Sequence, residues 1–181
     1  MKKLLLFVLT SLFVGGALFA QTNESGKVKN EGNAAWRAKN YKEAFTKWEQ
    51  YLKLIEFKDD ATVYNVAVCA TKLKDYANAE KNFQIALEKD PNLTDALSNI
   101  GRIYYNQGVN KLSEANMIND SKKYQEELGM AKDLFKKALP YYKKAHEAEP
   151  EKMDNMIALR GIYYNLNMGP ELEAIEAEMN K

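Results

Sequence analysis

The sequence predicts an all-α fold made of successive antiparallel helix pairs. Three observations predict it. Apolar residues recur at helical spacing through most of the chain, and no strand-like alternation longer than about four residues stands outside those stripes. Only four prolines interrupt a chain rich in Ala, Leu and Tyr with Lys and Glu interspersed, a composition that favours helices. A small residue followed four positions later by a ring also returns along the chain, as Ala44-x3-Trp48, Ala79-x3-Phe83 and Ala138-x3-Tyr142.

The clearest unit is residues 60–93. Val63-x2-Val66-Ala67-x2-Ala70 marks a first helix, Lys74-Asp75-Tyr76 a turn, Ala79-x3-Phe83-x2-Ala86 a second helix, and Pro91 the stop. Two helices in about 34 residues, with small residues at the close approach, match the W-x2-L-G-x2-Y…A-x3-F…P pattern. The stretch resembles a tetratricopeptide repeat (TPR). The resemblance implies a right-handed solenoid that binds other proteins, with Ala67, Ala79 and Ala86 where paired helices touch.

The chain begins with a basic Met1-Lys2-Lys3, an apolar run from Leu4 to Val14 broken by Thr10 and Ser11, and the small residues Gly15, Gly16, Ala17 and Ala20. That is the pattern of a secretory signal peptide. Cleavage after Ala17 puts Gly15 at −3, whereas cleavage after Ala20 puts the bulky Leu18 there. The alternative is an uncleaved anchor, although Leu4–Ala20 is at the short limit for spanning a bilayer. The expected organisation is a signal peptide over 1–20 and a TPR domain over 21–181. The expected location is the periplasm or cell envelope, or outside the cell. Without Lys2 and Lys3, 24 of the 26 Lys and Arg remain against 25 Asp and Glu, a net charge near −1. No charge excess points to nucleic acid or acidic lipid, and no stable membrane insertion is expected after cleavage.

The first repeat, about 25–59, carries Val28, Gly32 and Ala35 on one helix and Ala44-x3-Trp48-x2-Tyr51 on the next. Glu31 stands where the family usually has Leu, and Tyr51 where it has Ala. Tyr51 would separate the helices unless its ring leaves the interface, and an atypical end repeat fits a cap. The third repeat, about 94–152, pairs Leu97-x2-Ile100-Gly101-x2-Tyr104 with Ala138-x3-Tyr142-x2-Ala145 and Pro150. Pro91 and Pro150 lie 59 residues apart, which leaves about 25 inserted residues, 110–134. Tyr124, Leu128, Ala131, Phe135, Ala138, Tyr142 and Ala145 alternate spacings of four and three, the period of a helical seam. Val109, Leu112, Ala115 and Ile118 face them in the expected pairing, with Asn119-Asp120-Ser121 at the tip. The insert therefore reads as an arm of two lengthened helices; a break at Gly108 is the alternative. Pro140 should kink the return helix near Lys136–Leu139. The fourth repeat, 153–181, has Met156, Leu159 and Tyr163, a stop at Asn167–Gly169, and a charged last helix with Leu172, Ile175 and Met179 inward. Arg160 stands where a fully packed repeat has Gly or Ala.

Catalytic chemistry has little support. His146 is the single histidine and lacks the convergent partners of a metal site, so no metal and no cofactor are expected. Cys69 lies among Val66, Ala67 and Ala70 and reads as a small buried hydrophobe. No phosphate loop, HExxH or GxSxG occurs. The chain is expected not to be an enzyme.

The resemblance places ligand contacts on the inward positions of first helices. Carried over by position, these are Lys29, Asn33, Trp36 and Arg37, then Tyr64, Val68, Thr71 and Lys72, then Arg102, Tyr105 and Asn106, then Tyr164 and Asn165. Rings mixed with Arg, Lys and Asn suit a peptide-binding groove. Some relatives grip a C-terminal carboxylate; Lys29, Asn33 and Asn65 match the first positions of that clamp, but Asp95 and Asn99 replace its later cations. Three readings compete. The first is an adaptor of the bacterial envelope that binds a protein or peptide of unknown identity. The second is a structural subunit of an envelope assembly that uses the arm and convex face. The third is a carbohydrate-binding or hydrolytic accessory protein with Trp36, Tyr105 and Tyr164 as stacking platforms.

Overall fold

The computed structural model describes residues 23–56 and 59–180. The expected signal peptide falls on residues 1–20 and lies outside the described residues. All regular structure among the described residues is helical. Helix α1 covers residues 23–37, followed by α2 (Tyr41–Leu54), α3 (Asp60–Lys72), α4 (Tyr76–Lys89), α5 (Thr94–Ala115), α6 (Ser121–Ala148), α7 (Met153–Leu166) and α8 (Gly169–Met179). The fold is an all-α, TPR-type solenoid. The chain forms two compact units, one running to Asn82 and the other from Phe83.

The repeat is visible in its turns. Lys39, Lys74 and Asn167 are all left-handed, with φ of 59°, 61° and 58°. In each case the next residue donates its N–H five residues back: Asn40 to Ala35 O, Asp75 to Ala70 O, and Met168 to Tyr163 O, each at 2.9 Å. This is the Schellman closure, which satisfies carbonyls left open at a helix end. Asn40 and Asp75 then cap the following helices through Glu43 N and Asn78 N, at 3.3 Å in both cases. One turn design thus reverses the chain after α1, α3 and α7. After α5 the reversal moves out to 116–120, where Asp120 caps α6 by accepting from Lys123 N at 2.8 Å. At the last turn, α8 starts at Gly169, with Pro170 just inside it.

Close approach decides the packing. A Cβ on Gly32 would come within 2.5 Å of the Trp48 ring, and one on Gly101 within 2.7 Å of the Tyr142 ring. Both glycines occupy the same place in their repeats, and both rings are buried. Ala44, Ala79, Ala138 and Ala145 are completely buried, as small residues at a helix crossing must be. In the N-terminal unit Ala35, Ala44, Trp48, Val66 and Cys69 form one cluster. In the C-terminal unit α6, α7 and α8 share a core built on Phe135, Tyr142, Leu159, Ile162 and Ile175.

The arm is one continuous hairpin: α5 runs unbroken through Gly108 for 22 residues and α6 for 28. Gly108 is buried because the Phe135 ring lies on it, 3.0 Å from where a Cβ would sit. That contact offsets the helix cost of glycine, ~1 kcal/mol. The expected seam needs one correction. Val109 is 40% exposed, and Gly108 takes its place against Phe135. The seam is fully buried from Ala131 to Ala145, whereas Tyr124 and Leu128 are half-buried toward the tip. α6 continues through Pro140. Tyr51 does not separate its helices: it is half-buried, with its hydroxyl donating to Asp59 at 3.0 Å.

Gly101→Ala gains intrinsic helix propensity of ~1 kcal/mol but drives a methyl into a buried ring. Together with Ala145→Leu, which overfills a closed crossing, it should lose ~1–3 kcal/mol. Lys81→Ala, on an exposed surface, should stay within about 0.5 kcal/mol. Urea melts check this; a Gly101→Ala chain more stable than the wild type would contradict the packing described.

Candidate functional site

In the C-terminal unit α5 and α7 lie side by side and run the same way. Lys152 Nζ reaches Asp95 at 2.9 Å, and Ser98 Oγ donates to Asn155 Oδ1 at 2.9 Å, both across 57 residues. Further along, the Tyr105 hydroxyl and ring cover Gly161 so closely that a side chain there would collide. These contacts fix the register of the two helices.

What they leave outward is the candidate site. Met153, Ile157, Arg160 and Tyr164 follow one another by four, three and four residues, so they line one face of α7. Ile157 is 47% exposed and Tyr164 70%. Met153 and Arg160 are exposed as well, and α5 adds Arg102 and Asn106. The other sides of α7 hold Met156, Leu159, Ile162 and Tyr163 in the core. α7 is therefore apolar nearly all round, with one largely apolar stripe left uncovered by the other described residues. Large apolar side chains in contiguous exposure, flanked by guanidinium groups, are suited to holding a protein segment. Among the described residues Arg160 has no hydrogen-bond or ion-pair partner, and Arg102 reaches only the neutral amide oxygen of Asn99.

The residues carried over by position divide into open and engaged. Arg102, Asn106 and Tyr164 are exposed in the C-terminal unit, as are Arg37 and Lys72 in the N-terminal unit. Tyr105 packs on Phe135, 5.6 Å between ring centres, and Asn165 Nδ2 donates to Gly161 O at 2.7 Å. Trp36 is half-buried between Tyr41 and Trp48, at 5.3 and 5.8 Å. Asn33 accepts the Trp48 indole N–H at 3.1 Å, and Thr71 Oγ1 donates to Ala67 O at 3.0 Å. Tyr64 and Val68 are half-buried. Met153, Ile157 and Arg160 were missed. Their four-three-four spacing was legible, and Ile157 holds the same inward repeat position as Lys29 does in the first repeat.

Lys29 is tied up in a knot of its own unit. Its ammonium meets Asp59 Oδ2 at 2.6 Å and sits 5.1 Å from the Tyr51 ring centre. Asp59 also accepts from Tyr51 Oη, Thr62 N and Thr62 Oγ1, between 3.0 and 3.1 Å. Burial pushes the Asp59 carboxyl up. The Lys29 ammonium and the donors of Thr62 and Tyr51 outweigh it and bring the pKa down to about 2. The first cation of the carboxylate clamp is thus engaged, and at the later positions Asp95 holds Lys152 while Asn99 bonds Asp95 O and Arg102. Glu31, the other unusual residue of the first repeat, pairs with Lys47 at 2.7 Å. Cys69 is fully buried and its thiol is pushed up to about 11 by that burial, which keeps it protonated. His146 Nε2 lies 3.3 Å from Glu178 Oε2, between α6 and α8.

The family model for the coatomer epsilon subunit matches residues 33–147, more than half of the chain. The chain belongs to the coatomer epsilon subunit family. It is also 28% identical over 133 residues to the Photosystem I assembly protein Ycf3 of Cyanophora paradoxa, covering 72% of this chain and 70% of that one. Among solved structures it is similar to MamA, with a TM-score of 0.66 at 14% identity over 90% of this chain and 74% of the other. The TPR domain of Arabidopsis OM64 gives 0.54 at 19% over 80% and 98%. The first TPR of Spaghetti (RPAP3), bound to the HSP90 peptide SRMEEVD, gives 0.53 at 20% over 80% and 94%. These likenesses establish the TPR fold.

They also correct the expected location. The matched proteins are a coatomer subunit and a photosystem assembly protein, and neither description is that of an exported periplasmic or envelope protein. No described helix is long and apolar enough to cross a membrane.

The Asp59 knot sets a pH dependence. A carboxyl held at about 2 when folded and at its ordinary value of 3.8 when unfolded adds stability above that unfolded value, which is lost as pH falls toward 2. Asp59→Asn should cost about 1–2 kcal/mol at pH 7, allowing for solvent screening at the half-buried Lys29. The difference from wild type in thermal melts should shrink between about pH 5 and pH 2. A difference that stays constant across that range would remove Asp59 as its source.

Proposed function

We propose that the chain is a non-enzymatic scaffold that holds a segment of a partner protein on the α5–α7 face during assembly of a larger complex. We read the chain as four repeats, at about 25–59, 60–93, 94–152 with insert 110–134, and 153–181. The observation that carries the functional reading is the uncovered stripe Met153, Ile157, Arg160 and Tyr164 beside Arg102. A stripe of this length takes an amphipathic helix or an extended segment with apolar anchors, and Tyr and Arg are the side chains that most often carry interface energy. The name of the Cyanophora relative, an assembly protein, supports the same reading. On this reading Tyr105, Asn165, Trp36 and Asn33 shape the helices rather than touch the ligand. Ring platforms for a carbohydrate lose support, since of Trp36, Tyr105 and Tyr164 only Tyr164 stands open.

A second reading has its own observation. Membership of the coatomer epsilon family suits a resident subunit of an assembly, and Met117 and Met130 near the end of the arm are 79% and 52% exposed. The two readings separate by variant. Ile157→Ser with Tyr164→Ala should weaken partner recovery in co-purification from the source cells at least tenfold, a loss of about 1.4 kcal/mol or more. The helical circular-dichroism signal should not change. Met117→Ser with Met130→Ser should leave recovery intact. The opposite pattern would transfer the interaction to the arm.

A further inference from the structure

A cleft of about 450 Å3 opens on a different side of the C-terminal unit. Its walls are Leu87, Pro91, Leu97, Pro140 and Tyr141, with Gln84, Glu88 and Lys144 at the polar positions. The walls are braced from within. Gln84 Nε2 donates to Tyr141 Oη at 2.8 Å, and the Tyr104 and Tyr141 rings stack at 6.3 Å and 21°. Lys137 Nζ lies 5.7 Å from the Tyr104 ring centre. Lys137, Tyr141 and Lys144 are spaced four and three residues apart and so share one stripe of α6; Lys144 lines the cleft itself, and Lys137 lies one turn beyond Tyr141. Among the described residues neither lysine meets a carboxylate, whereas the adjacent Lys136 is paired with Asp133 at 2.9 Å. Pro140, inside α6 and exposed, has no N–H, so the Lys136 carbonyl that points toward it lacks its helical donor. An apolar hollow with Lys144 in its wall, a second lysine one turn along α6 with no carboxylate partner, and a spare backbone acceptor thus lie along one stripe. None of them belongs to the α5–α7 face.

We infer that this cleft is a second protein-binding site, for an acidic segment that inserts one apolar side chain. The hollow has the size of a single Leu or Phe anchor with its flanking backbone, and the lysines on either side of Tyr141 match carboxylates on either side of that anchor. The carbonyl beside Pro140 accepts a backbone N–H of the guest. Glu88 is the one carboxylate in the wall and opposes such a guest, so it sets the limit on affinity. Nucleic acid fits less well. The two rings are spent on each other and on Lys137, leaving no open pair of faces for bases, and the chain as a whole carries almost no net charge.

The test is an NMR titration of the full chain with a synthetic peptide of about ten residues, one central Leu flanked by Glu. The expected shifts fall on residues 84–88 and 137–144 and weaken with added salt. Lys137→Glu with Lys144→Glu should raise the Kd at least tenfold, Glu88→Gln should lower it, and Tyr164→Ala should leave it unchanged. Both lysines are exposed, and circular dichroism confirms that the charge-reversed chain is folded. The inference is overturned by any of four results: no shifts at the cleft, shifts that map to α7, an affinity indifferent to the two lysines, or saturable binding of oligo(dT) at the same residues in place of the peptide.

Discussion

The fold depends on how closely its helices approach one another. Gly32 under Trp48 and Gly101 under Tyr142 are the same contact made twice, a helix with no side chain at the point where a buried ring from the next helix lies on it. The turns follow from this. If a helix pair is to lie this close, the chain must reverse in two or three residues, and the left-handed Lys39, Lys74 and Asn167 do so at a cost that glycine would not incur. The arm extends the same rule beyond the repeat. Gly108 under Phe135 keeps α5 and α6 in contact past the point where the repeat would have turned.

Those contacts also decide which residues are free to function. Tyr105 stands at an inward repeat position, but its ring is needed over Gly161 to hold α7 against α5. Asn33 and Thr71 are likewise spent on a ring N–H and a helix carbonyl. The exposed remainder on α7 is a stripe whose apolar members are covered by no helix among the described residues. In the N-terminal unit, polar bonding adds to close approach in holding the helices. Asp59 gathers Lys29, Tyr51 and Thr62 from three helices, and a tyrosine in place of the usual alanine becomes a hydrogen-bond donor.

Much of the fold was legible in the sequence because small residues and rings at fixed spacing report helix contact directly. Ala67, Ala79 and Ala86, which the repeat resemblance puts where paired helices touch, are all buried. The tip of the arm could be placed from Asp120, a side chain that caps helices. The candidate site was less legible. Inward position says where a Cβ points, not whether the side chain beyond it is already used, so Trp36, Tyr105 and Asn165 read from sequence like Tyr164. Val109 was misplaced for a related reason: a period of three drifts around the helix, and the glycine beside it carried the contact. The location was misread because an apolar, small-residue leader is a local pattern that the rest of the chain does not constrain.

The central claim is that a partner segment lies along the exposed stripe of α7. Site-specific photo-crosslinking in the source cells tests it most directly, with p-benzoylphenylalanine in place of Tyr164, of Ile157, or of Glu173 on the outer side of α8. The account predicts the same discrete cross-linked partner from positions 164 and 157 and none from position 173. Adducts from position 173 alone, or equal labelling from all three, would contradict it.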